Sequence, residues 1–115
     1  MIDQGKPVYQ RLRDLVAAAI LDGQFRDGDM LPSVRALAAE QGANPLTVAK
    51  AYQSFQDEGL VVVRRGVGMF VADGASARLR ARLTEDFLTN VWPPVAEQIR
   101  RLDLDPAQLL DRIDA

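Results

Sequence analysis

The chain contains no cysteine and no histidine. Without cysteine there is no disulfide framework and no thiolate, and without histidine as well a transition metal lacks its usual ligands. No cofactor or metal is expected. No apolar run is long enough to span a bilayer, and no basic segment leads into an apolar one as a signal peptide would. A membrane partner is therefore not expected, and cytoplasmic residence is. A Walker-type glycine loop is missing, and Ser33 and Ser54 have no base to activate them, so the chain is not expected to be an enzyme. A basic excess is missing too, since 14 Lys+Arg stand against 16 Asp+Glu. Domains that bind nucleic acid often carry such an excess, so the overall balance argues mildly against one.

What remains fits one or two small globular units: 115 residues, 48% hydrophobic and 26% charged. Residues 31–71 are the most informative stretch. Ser33, after Pro32, can cap a helix over Val34–Gln41, and Gly42 supplies the turn conformation that a side chain would oppose. Asn44 is a strong N-cap, and Pro45 at the first helical position loses no hydrogen bond. That helix should run to Glu58, with Gly59 as its terminator. Leu60–Arg64 and Gly68–Val71 then read as a hairpin, with Val61 and Val63 alternating against Val62 and Arg64. Two helices joined by a short turn, then a basic hairpin, describe a winged helix-turn-helix, an architecture that lays a helix in the DNA major groove. The expected fold is mainly α with a small β-hairpin: a winged helix-turn-helix over residues 1–73, then a short helical dimerisation tail over residues 74–115.

Upstream, Tyr9, Leu12, Val16, Ala19 and Ile20 form one apolar stripe over Val8–Asp22, which reads as scaffold, with Arg11 and Arg13 solvated. Met30-Leu31 can add a short strand edge to the hairpin. In the helix after Asn44, the residues Val48, Ala51, Tyr52 and Phe55 should pack on Leu37, Ala38 and Leu60. Asn44, Leu46, Thr47 and Lys50 lie toward its start on other faces, where a recognition helix meets base edges. Asn44 can equally serve only as a cap. Arg35 does not serve the apolar face of Val34, Leu37 and Ala38, so it points outward, and its planar fork suits guanine or phosphate. Arg64, Arg65 and Gly66 in the wing complete the expected DNA-binding set. Residues 1–72 hold eight basic and eight acidic residues. Charges beyond about 10 Å are screened at ordinary salt, so the local cluster governs, and a modest, salt-sensitive affinity is expected.

The segment LPSVRALA at Leu31–Ala38, the run TVAKAY at Thr47–Tyr52 and EGLVVVRRGVGMFV at Glu58–Val71 resemble the GntR-type transcriptional regulators. The upstream KPVYQRLRDLVAAAILDGQFRDGDMLPS agrees, so the resemblance covers residues 5–72. It implies a DNA-binding regulator in which the arginine matching Arg35, the wing arginines and Gly66 touch DNA. The chain departs from many members at Pro45, where they carry an arginine, and base readout by that side chain is lost. The short tail resembles the YtrA-like subgroup. That resemblance implies a repressor working as a homodimer on a palindromic operator, with transporter genes among the targets. The alternative is a winged-helix protein–protein adaptor that never touches DNA. Such an adaptor would expose apolar or acidic residues where this chain has Thr47, Lys50, Arg64 and Arg65.

The tail reads differently. Gly74-Ala75-Ser76 looks like a hinge. Leu79, Leu83, Phe87 and Val91 then form an apolar stripe that Trp92, Val95, Ile99 and Leu102 extend, and this stripe is the expected dimer seam. Pro93-Pro94 removes two amide donors, so a kink or break is expected near Val91–Pro94. Asp105-Pro106 should open a last short helix through Leu109, Leu110 and Ile113. About forty such residues cannot form a stable core alone, and a second copy of the chain is the economical partner. Glu85, Asp86 and Glu97 argue against a membrane-surface helix. A tail this small should not enclose a metabolite pocket, so an effector, whose identity the sequence does not give, would sit at the dimer interface or the hinge.

Overall fold

The computed structural model describes residues 6–114. Helix α1 (Val8–Leu21) leads through a turn to α2 (Val34–Gln41) and α3 (Pro45–Asp57). Strands β1 (Val61–Arg64) and β2 (Gly68–Val71) follow, then α4 (Ala75–Asp86), a π-helical turn (Phe87–Val91), α5 (Trp92–Arg101) and α6 (Pro106–Asp111). The residues fall into two compact units that divide between Arg80 and Ala81, within α4. No helix among the described residues is long and apolar enough to cross a membrane.

Local chemistry sets the ends of α2 and α3. The Ser33 hydroxyl accepts from the Ala36 amide at 3.1 Å, and Gly42 closes α2 in the left-handed conformation at φ 62°. The Asn44 side chain accepts from the Leu46 amide at 2.9 Å, and Pro45 opens α3. The core of the first unit is built on the faces that periodicity marked. Leu12, Val16 and Ile20 from α1 close with Leu37 and Ala38 from α2, Val48, Ala51, Tyr52 and Phe55 from α3, and Leu60 after it. Tyr52 is fully buried, and its hydroxyl donates to the Pro32 carbonyl at 2.7 Å. That bond ties α3 to the chain just ahead of α2.

The hairpin pairs Val61 with Val71, Val62 with Phe70, Val63 with Met69 and Arg64 with Gly68. Met30 bridges Phe70 on the other side, as a third edge, as expected. Strict alternation in β1 does not hold, because Val61 is buried while Val63 is exposed. Only the base of the hairpin lies over the core, and its tip projects beyond it.

Three expectations need correction. Arg13 is not simply solvated: it grips Glu58 with two bonds of 3.0 Å and lies 4.6 Å over the Phe55 ring, pinning α1 to the end of α3. Gly74-Ala75-Ser76 is no hinge. The Asp27 carboxylate accepts from the Gly74 amide at 2.8 Å and the Ser76 amide at 3.2 Å, so a loop residue caps α4, and Ala75 is fully buried. Leu79 is not part of an open seam. It is 2% exposed within the core of the first unit. The Arg78 guanidinium donates to the Gly59 carbonyl at 2.8 Å and that of Arg80 to the Leu21 carbonyl at 3.2 Å. The start of α4 therefore belongs to the first unit, and the expected boundary after Asp73 lies upstream of the observed one.

In the second unit, the interruption at Pro93-Pro94 takes the form of a π turn. The Trp92 amide reaches back to the Phe87 carbonyl, five residues earlier. The prolines then occupy the first turn of α5, where their missing donors cost nothing. Asp105 caps α6 through the Ala107 amide at 3.0 Å, with Pro106 next.

Candidate nucleic-acid interface

Three elements of the first unit present the residues expected to meet DNA. On α2, Arg35 is exposed in the first turn, on the side away from buried Leu37. On α3, the outward face carries Leu46 and Lys50, both exposed, while Thr47 is half-buried at its flank. Opposite lies the fully buried set Val48, Ala51, Tyr52 and Phe55, so the helix cannot rotate without opening the core. On the wing, Arg64, Arg65 and Gly66 are exposed at the hairpin tip. The Val67 amide closes the turn onto the Arg64 carbonyl at 2.9 Å, and Gly66 takes φ 77° at the position where a type II turn requires it.

The cations divide by their partners. Arg13, Arg78 and Arg80 hold protein groups. Arg64 lies 4.5 Å over the Phe70 ring, which fixes its guanidinium against the hairpin. Among the described residues, the side chains of Arg35, Lys50 and Arg65 make no ion pair or hydrogen bond within the chain. An unpaired cation on a rigid helix or turn is available to an external anion at no cost in broken contacts. Asn44 has its side-chain oxygen engaged in capping, which supports its structural role. Position by position, the expected set is thus one cap, one stacked arginine, three open cations, a leucine, a threonine and a turn glycine.

The model for "Bacterial regulatory proteins, gntR family" matches residues 7–71. The chain belongs to the GntR family. The HTH-type transcriptional repressor YtrA of Bacillus subtilis (strain 168) is 34% identical over 99 residues, spanning 86% of this chain and 70% of YtrA. YhcF of the same organism, an HTH-type transcriptional regulator, is 31% identical over 110 residues, spanning 94% of this chain and 88% of YhcF. A solved transcriptional regulator from Oenococcus oeni superimposes with a TM-score of 0.73 at 27% identity, covering 96% of this chain and 91% of that one. The DNA-binding domain of AraR, solved with operator ORX1, superimposes with a TM-score of 0.55 at 26% identity, covering 57% and 80%. This GntR protein is a transcription regulator with a winged-helix DNA-binding domain, and its relatives are regulators, not enzymes.

The second unit of this GntR protein carries a different surface. Leu83, Phe87, Val91, Trp92, Val95 and Leu102 are each between 38% and 63% exposed, and Ile99 is half-buried. Leu88 and Leu104 join them, as do Leu110 of α6 and Ile113 just beyond it. Helices α5 and α6 border an apolar groove of about 470 Å³ lined by Trp92, Val95, Ile99, Leu102, Leu109 and Ile113 among others. The groove is open to solvent, with Ile113 75% exposed. Leu88 and Leu104 were missed because they fall off the heptad-like stripe. The π turn shifts the helical phase at Leu88, and Leu104 lies in the loop before α6, where it lines the groove.

Proposed function

We propose that this GntR protein is a sequence-specific repressor that binds a palindromic operator as a homodimer in the cytoplasm. The observation that carries the reading is the set of unpaired cations on three separate elements: Arg35 on α2, Lys50 on α3 and Arg65 on the wing. In this reading α3 enters the major groove, Arg35 takes a guanine or phosphate beside it, and the wing follows the adjacent backbone. The neutral overall charge is compatible with this, because what phosphates meet is the local cluster. Residues 1–73 act as the DNA-binding domain, with α4 as far as Arg80 fastened to it. The remainder of the tail is the dimerisation appendage. Its support is the row of exposed large apolar side chains from Leu83 to Ile113, the kind of surface that marks an interaction site. The YtrA likeness supports repression, and it alone points to transporter genes as targets.

Selection of bound sequences from random duplex DNA tests this directly. Two inverted half-sites about one helical turn apart, roughly 34–36 Å between centres, are expected. Light scattering should count two chains per duplex. Enrichment of no sequence, or a single half-site bound by one chain, would overturn the proposal.

A further inference from the structure

The N-terminus of α3 carries an apolar tip in place of the usual set of free amides. Helix starts commonly hold phosphate through unsatisfied backbone N–H groups. Here Pro45 has no N–H, and the Leu46 amide donates to the Asn44 side chain at 2.9 Å. The Thr47 and Val48 amides donate to the Asn44 carbonyl at 2.9 and 3.1 Å. Every amide of the first turn is therefore absent or engaged, and the tip has no backbone donor for a phosphate.

What the tip offers instead is Leu46. Its side chain is 70% exposed and takes no part in the core. It stands one turn before Lys50 on the outward face, followed by Gln53 and Asp57, which bond to each other at 2.9 Å. Leu46 is the apolar member of an otherwise polar row. Leucine cannot hydrogen-bond a base edge. In the major groove the apolar group among the standard bases is the C5-methyl of thymine.

We propose that Leu46 is a specificity-determining residue that reads a thymine methyl group in each operator half-site. This rests on the reading of α3 as the helix that enters the major groove. Covering one methyl group changes affinity by about fourfold, the equivalent of about 0.8 kcal/mol. The effect carries no charge, so the salt dependence of binding stays as it is.

The test uses the full chain and an operator obtained by selection from random duplex. Each thymine of a half-site is replaced in turn by deoxyuridine, which removes only the methyl, and affinity is measured for the parent and for Leu46→Ala. One thymine per half-site should show about a fourfold loss per replacement with the parent and none with Leu46→Ala, at an unchanged salt slope. If no thymine is sensitive, or if Leu46→Ala shows the same sensitivity, the inference is wrong while the DNA-binding reading stands. If the parent retains no duplex at all, both fall.

Discussion

In the first unit the apolar stripes of α1 and α3 close on one another, whereas from Leu83 to Ile113 most large apolar side chains face solvent. Phe55 and Tyr52 are fully buried, while Phe87 and Trp92 are 48% and 42% exposed. Both regions show the same helical spacing of apolar residues in sequence. The difference lies in what covers the stripe. In α3 it is α1, α2 and the chain after Gly59. In the second unit the matching side chains, among the described residues, stay largely open to solvent. Periodicity identifies a face, and only the fold shows whether the chain itself supplies the other side.

Helix α4 is where this contrast can be broken most sharply. A chain ending at Gly74 loses Ala75, Leu79 and the contacts of Arg78 and Arg80, and should be unfolded or nearly so. A chain ending at Arg80 keeps them and should remain a folded monomer with weak DNA binding. Urea titration with light scattering checks both, and equal stability of the two would erase the distinction between the units. In the full chain, Leu79→Ala should lower unfolding free energy by about 2–5 kcal/mol and leave association untouched. Leu83→Ala and Phe87→Ala should instead weaken association, measured by sedimentation, with little change in the unfolding of a dissociated protomer.

Smaller effects sharpen the picture within the first unit. Tyr52→Phe removes the bond to the Pro32 carbonyl and should cost about 0.5–1.5 kcal/mol. Burial, aided by the Glu40 charge, pushes the Tyr52 phenol up to about 12. A raised value means that its contribution is complete below the unfolded value of about 10 and is lost as pH rises toward 12. The alkaline limb of the stability profile should therefore flatten in Tyr52→Phe. Asp27 works at the other end. The amides of Gly74 and Ser76 hold its carboxyl below the usual range. Its contribution is complete above about pH 4 and is lost as pH falls through the lower folded value. Asp27→Ala should remove that part of the acid dependence and leave behaviour above about pH 5 with a uniform, lower stability.

How much of this was legible in the sequence follows from the range of each interaction. Helices α2 and α3 could be bounded closely because Ser33, Gly42, Asn44 and Pro45 act within a few residues of the ends they set. The outward placement of Arg35 and Lys50 followed from the apolar faces opposite them. What escaped was long-range. Asp27 caps a helix that starts nearly fifty residues later, and Arg13 clasps Glu58 across 45 positions. Leu79 had the right spacing for the tail stripe but a nearer partner in the first unit. The prolines announced an interruption, and only the backbone could show that a π turn absorbs it. Within the wing, the sequence did not separate Arg64 from Arg65, because the stack on Phe70 depends on strand register.

In the proposed function, three open cations meet duplex DNA in different ways. Arg35→Ala, Lys50→Ala and Arg65→Ala should each be titrated against operator and scrambled duplex at several salt concentrations. If Arg35 reads a base, its loss costs about 1–3 kcal/mol per half-site and relaxes preference at one position. Loss of Lys50 or Arg65 should weaken both duplexes alike and lower the salt slope by about one each. All three should melt like the parent, since none belongs to the core. Variants that fold normally and bind both duplexes as the parent does would contradict the account.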